Sequence, residues 1–109
     1  MGELHTILKA GVHEVRVGDV LQVRYKAQAV ANGIGGVRGN VRGTSVTKIA
    51  TVSAPLDPTQ QQLPGAPYFV IVMFKAERLG DSIVTATPLR NDGTADLPYQ
   101  LTARVVARP

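Results

Sequence analysis

In the stretch VLQVRYKA, Leu21, Val23, Tyr25 and Ala27 alternate with Gln22, Arg24 and Lys26. A period of two puts the apolar set on one face of an extended chain and the polar set on the other, as in a strand that covers a core with one side. The period recurs. HEVRV places Val15 and Val17 inward, and LTARVVAR sets Leu101, Ala103, Val105 and Ala107 against Thr102, Arg104, Val106 and Arg108. YFVIVMFKA and DSIVTATPL read as two more strands, and TSVTKIATV as a less regular one through Val46, Ile49 and Val52. No ten-residue window carries a helical period, and 11 glycines and 7 prolines among 109 residues cut the chain into short segments.

The turn signals fit this pattern. Gly18-Asp19 separates the first two strands, ERLGD separates two later ones, and NDGTAD leads into the last, its Asp92-Gly93 pair tolerating the positive φ of a tight hairpin. One-sided strands at about ten-residue spacing need a second sheet to cover their apolar faces. The expectation is therefore one all-β domain over residues 1–109, an antiparallel sandwich of about seven strands, with a closed barrel as the rival architecture. Two stretches read as loops. SAPLDPTQQQLPGAP carries Pro55, Pro58, Pro64 and Pro67, which cannot donate ladder bonds, and reads as a long crossing connection. GGVRGNVRGTS, from Gly35 to Ser45, reads as a Gly-rich hairpin loop, either a flexible bend or a recognition loop presenting Arg38 and Arg42 to carboxylates on a partner.

Several chemistries lack their residues. With no Cys there is no disulfide, thiolate metal site or thiol nucleophile. GNVRGTS lacks the lysine of a phosphate-binding loop, and no helical pattern follows it. His5 and His13 could share a metal only with carboxylates such as Glu3 or Glu14, and Asn91, Asp92 and Asp96 lack the alternating acids of a calcium loop. Ser45, Ser53 and Ser82 stand in no nucleophile context. The expectation is a protein without catalytic residues, metal or cofactor. The net charge of +4 comes from dispersed bases with no interleaved aromatics, which argues against nucleic acid as the primary partner. The longest apolar run, Tyr68 to Phe74, is far short of the about 20 residues that span a membrane. The N-terminus shows no apolar signal core, so the expectation is cytoplasmic synthesis followed by assembly into a virion, or an extracellular chain trimmed of its leader.

YFVIVMF carries the strongest hint of a partner. With Val70, Val72, Phe74 and Ala76 facing the core, Phe69, Ile71 and Met73 point away from it. Burying each such side chain is worth roughly 1.5 to 3 kcal/mol, so the row calls for a cover. The cover is either intramolecular, by the proline-rich connection from Ser53 to Pro67 or by another strand's side chains, or a partner subunit.

VRVGDVLQVRY, followed by YFVIVMFKAERLGDSIVTATPL, resembles the bacterial and phage immunoglobulin-like sandwich domains. It is similar also to the chagasin-like cysteine-peptidase inhibitors, a group that shares this strand pattern and binds through three loops. Where those inhibitors carry Asn-Pro-Thr-Thr-Gly in the first loop this chain has AQAVANGIGGVRGN, and their glycine motif is matched only by Gly33, Gly35 and Gly36. Where their last loop carries Arg-Pro-Trp or Arg-Pro-Phe it has TPLRNDG, with Arg90 but no aromatic. The first resemblance implies an immunoglobulin-like β-sandwich, the second an inhibitor. The leading expectation is a non-enzymatic protein-binding or structural module, a subunit or decoration protein of a virion or cell-surface assembly. It would contact a protein partner or a second copy through Arg38, Arg42, Phe69, Ile71 and Met73. The alternatives are a chagasin-like peptidase inhibitor and a carbohydrate- or polyanion-binding module.

Overall fold

The computed structural model describes residues 2–7, 9–55 and 66–107. They form eight strands: β1 (Leu4–Thr6), β2 (Gly11–Arg16), β3 (Val20–Ala27), β4 (Ile34–Arg42), β5 (Val46–Pro55), β6 (Tyr68–Ala76), β7 (Gly80–Arg90) and β8 (Tyr99–Val106). Two four-stranded sheets result, sheet A in the order β1-β3-β6-β5 and sheet B in the order β2-β8-β7-β4. Pairing is antiparallel except for β1 with β3 and β2 with β8, the two places where the N-terminal chain lies along first one sheet and then the other. The sandwich expected from the alternation is present, and no helix long and apolar enough to cross a membrane occurs among the described residues.

The period of two places the core. Leu21, Val23 and Ala27 of β3, with Val70, Val72, Phe74 and Ala76 of β6, meet Val84 and Ala86 of β7 and Leu101, Ala103 and Val105 of β8, all buried. Ala107 lies past the end of β8 and is exposed. Gln22, on the outer face of β3, is nonetheless buried, because β1 pairs beside it and its amide donates to Thr6 Oγ1 at 2.8 Å. β5 is a strand as expected, but Ile49 and Val52 are 48% and 43% exposed. The register shifts between Lys48 and Ala50, so Ile49 is an extra residue on an edge strand.

The stretch read as a Gly-rich loop is mostly strand β4, the edge of sheet B. Val37 and Val41 pair with the core-facing Pro88 and Val84 of β7, while Arg38, Asn40 and Arg42 pair with the outward Thr87, Thr85 and Ile83. Gly39 occupies the inward position between the two valines. A Cβ there would lie 2.7 Å from Val72 Cγ1 and 3.1 Å from Phe74 Cζ, so the absent side chain lets β4 close over the largest buried residue of the opposite sheet.

Asp19 fastens the turn from β2 to β3, which passes the chain from sheet B to sheet A rather than making a hairpin. Its buried carboxylate accepts from the backbone N–H groups of Glu3 (2.9 Å) and Arg16 (3.0 Å) and from His5 Nε2 (2.8 Å). Burial pushes its pKa up, but the two backbone donors and His5 outweigh it and hold the group down at about 2. A carboxyl that is more acidic folded than unfolded stabilises above its ordinary value of 3.8, and that stability drains away as pH falls toward about 2. Asp19→Ala is expected to cost about 2 to 3 kcal/mol at neutral pH by stranding buried donors. Urea denaturation at a series of pH values should also show a smaller loss of stability between pH 4 and pH 2 in the variant than in the parent.

Candidate protein-binding loop end

Three connections gather at one end of the sandwich. Ala27 at the end of β3 pairs with Tyr68 at the start of β6, which pairs with Pro55 at the end of β5. In sheet B, Ile34 at the start of β4 pairs with Arg90 at the end of β7. The β3–β4 loop (28–33), the β5–β6 connection and the β7–β8 loop (91–98) therefore leave from the same end. Residues 56–65, most of the proline-rich connection, lie outside the described residues.

Asn91 joins the first and last of these loops. Its side-chain amide donates to the carbonyls of Gln28 (2.9 Å) and Val30 (2.8 Å), and its backbone N–H donates to Gly33 O at 3.0 Å. Room for that side chain comes from the register shift between Ile34 and Gly36. The residue at the shift is Gly35, and a Cβ on it would overlap Asn91 Oδ1. Within the 28–33 loop, Val30 N–H donates to Gln28 O and Gly33 N–H to Val30 O, so the loop is a closed turn.

The β7–β8 loop is braced from inside. Asp92 Oδ1 accepts from the backbone and hydroxyl of Thr94 at 2.9 and 2.6 Å, which holds its carboxyl below the usual range. Arg90 reaches Asp96 at 3.0 Å, and Asp96 N–H donates to Pro88 O. Gly93 takes the positive φ expected of the Asp-Gly pair. Asp92 and Asp96 thus serve the loop's own shape. The braced loops present apolar side chains outward: Val30 is 43% exposed and Leu97 84%. The hydroxyl of Tyr99, at the start of β8, is buried without a hydrogen-bond partner among the described residues, and burial raises its pKa. Asn91→Ala is expected to cost about 1 to 2 kcal/mol and to loosen both loops. Hydrogen exchange at Gly33 and Val30 should rise while exchange in β6 changes only with the global loss.

The residues singled out from sequence lie elsewhere, on two opposite faces. Arg38 and Arg42 stand exposed on the outer face of sheet B. Phe69, Ile71 and Met73 lie on the outer face of sheet A, and each is half-buried. Their own sheet covers them in part. Ala54, Val52 and Ala50 of β5 flank them on one side and Lys26, Arg24 and Gln22 of β3 on the other, with the Arg24 guanidinium 5.0 Å from the centre of the Phe69 ring. Of the covers expected, the side chains of neighbouring strands are the one the described residues show.

Other residues of interest have structural partners. Ser45 and Ser82 are buried at the opposite end and bond each other through their hydroxyls. His5 is held by Asp19 beside sheet A, whereas His13, on sheet B, donates to Lys9 O at 2.7 Å. Val30 and Leu97 were not identified from sequence, and Asn91 was weighed there only as an oxygen ligand. The available signal was an Asn just after a strand, and a Leu isolated between Asp96 and Pro98.

No family model and no curated protein sequence matches the chain. Among solved structures it is similar to the cysteine protease inhibitor EhICP2 from Entamoeba histolytica, at 14% identity over 97% of this chain and 95% of that one, with a TM-score of 0.59. Fainter likenesses are to Amebosin (11% identity, 95% of this chain and 98% of that one, TM-score 0.46) and to PbICP-C, solved in complex with falcipain-2 (15%, 98% and 91%, TM-score 0.45). Nothing in them supports a bacterial or phage origin. The likeness to EhICP2 is one of fold: the chain is an immunoglobulin-like β-sandwich with the architecture of that inhibitor.

Proposed function

We propose that the chain is a non-enzymatic inhibitor of papain-type cysteine peptidases, occupying the partner's cleft with its loop end. The observation that carries this reading is the pair of loops 28–33 and 91–98, joined through Asn91 and presenting Val30 and Leu97 to solvent. Support also comes from the fold neighbour, a cysteine protease inhibitor aligned over 97% of this chain. Inhibition by occupancy needs no nucleophile or metal in the inhibitor. It needs loops ordered before contact, because every segment immobilised on binding subtracts from affinity. The hydrogen bonds of Asn91, Asp92 and Asp96 meet that need within the free protein. TPLRNDG has no aromatic, and Leu97 supplies the last loop with a large exposed apolar side chain.

The test is a titration of papain with the protein, following hydrolysis of a fluorogenic peptide. Competitive inhibition is expected, and no effect at micromolar protein removes the reading. The expectation of a virion or cell-surface subunit is less well supported: its contact row of Phe69, Ile71 and Met73 is already half covered by its own sheet, and the fold neighbour EhICP2 is an inhibitor.

A further inference from the structure

The outer face of sheet B carries a groove of about 320 Å³ lined by Asn40, Val41, Arg42, Ile83, Thr85 and Gln100. It lies along the side of the sandwich, on strands rather than loops, and so is separate from the loop end. Arg38 and Arg42 stand on the same face of β4, four residues apart, which sets their Cα atoms about 13 Å apart along the strand. Neither has an ion pair among the described residues, whereas Arg104 on the same face is occupied by Asp81 at 3.2 Å. Between the two free guanidiniums the register aligns Asn40 with Thr85, and Thr85 with Gln100, in a row across three strands.

We propose that this groove binds an anionic polysaccharide. Two guanidinium forks each suit a sulfate or carboxylate, and they set the spacing of the two anionic groups. The row between them is amide, hydroxyl, amide. Each of these groups both donates and accepts, and so matches sugar hydroxyls. An acidic peptide would suit the arginines but not the middle: an extended chain satisfies its backbone at a sheet edge, and of the groove's lining only Val41 and Ile83 are apolar. A nucleic acid would offer phosphates, but this face has no aromatic side chain to stack a base.

The test is binding of a heparin-derived octasaccharide by calorimetry, comparing the parent with three double variants that share its melting temperature. R38A/R42A is expected to bind about tenfold more weakly or worse, through loss of two charge-assisted contacts. R24A/K26A removes the same charge from the outer face of sheet A and should stay within about twofold of the parent if the groove is the site. N40A/Q100A, with no change in charge, should weaken binding severalfold while leaving the slope of affinity against salt unchanged. Equal losses in R38A/R42A and R24A/K26A would overturn the proposal in favour of diffuse attraction to a basic protein. Displacement of the octasaccharide by poly-glutamate at equal charge would overturn it in favour of an acidic peptide. Because none of these residues belongs to the loop end, the outcome is independent of peptidase inhibition.

Discussion

Leu97→Asp is expected to leave the melting temperature unchanged and to weaken inhibition of a papain-type peptidase by about 30-fold or more. Leu97 is 84% exposed, so folding gains almost nothing from it and its loss costs the free protein almost nothing. In the proposed complex the same side chain would move from water into the partner's cleft. An apolar anchor of that kind typically contributes 2 kcal/mol or more, about 30-fold in affinity, and a carboxylate in its place would also have to be desolvated. The matched control is Leu79→Asp. Leu79 is 63% exposed but sits in the β6–β7 turn at the opposite end, so the same change of charge and volume there should leave inhibition intact. Inhibition constants and melting temperatures of the two variants are the measurements. Equal inhibition by both variants would move the contact away from the last loop.

The largest loss of stability is expected from Phe74→Ala, about 3 to 5 kcal/mol. Phe74 is fully buried at the centre of sheet A, opposite Leu21 in the register with β3. From sheet B it is approached by Gly39, which has no side chain to fall into the space the ring would leave. Val72 on the same strand and Leu21 opposite are fixed by their own strand pairing, so the void should persist rather than collapse. In a domain of this length the change corresponds to a drop of about 15 °C or more in melting temperature. Urea denaturation with an unchanged slope is the measurement that isolates it, and a loss below about 2 kcal/mol would show that β4 moves in to refill the site.

How much of this was legible depended on side chains that repeat. In β3, β6 and β8 the inward positions carry apolar residues, so alternation alone placed Leu21, Val72 and Leu101 in the core. In β4 the same alternation exists as Val37, Gly39 and Val41 against Arg38, Asn40 and Arg42, but a glycine at the middle inward position made it look like a loop. What made glycine necessary there were the side chains of Val72 and Phe74, more than thirty residues away in the chain. The β6 row of Phe69, Ile71 and Met73 was correctly placed outside the core, yet its partial cover by Arg24 and Val52 depended on knowing which strands flank β6. The loop end was the least legible part. Nothing local in Asn91 says that it reaches Gln28 and Val30, more than sixty residues earlier in the chain.

The sequence by itself determined that the chain is all-β, that its strands cover a core with one face, and that it holds no cysteine for thiol or disulfide chemistry. These properties follow from side-chain identity and a period of two, both local along the chain. Only the tertiary structure decided which strands are neighbours, which connections share an end, and which exposed residues share a face. Those depend on pairing between distant segments, and pairing is set by how two sheets fill the space between them, a property that no single stretch contains.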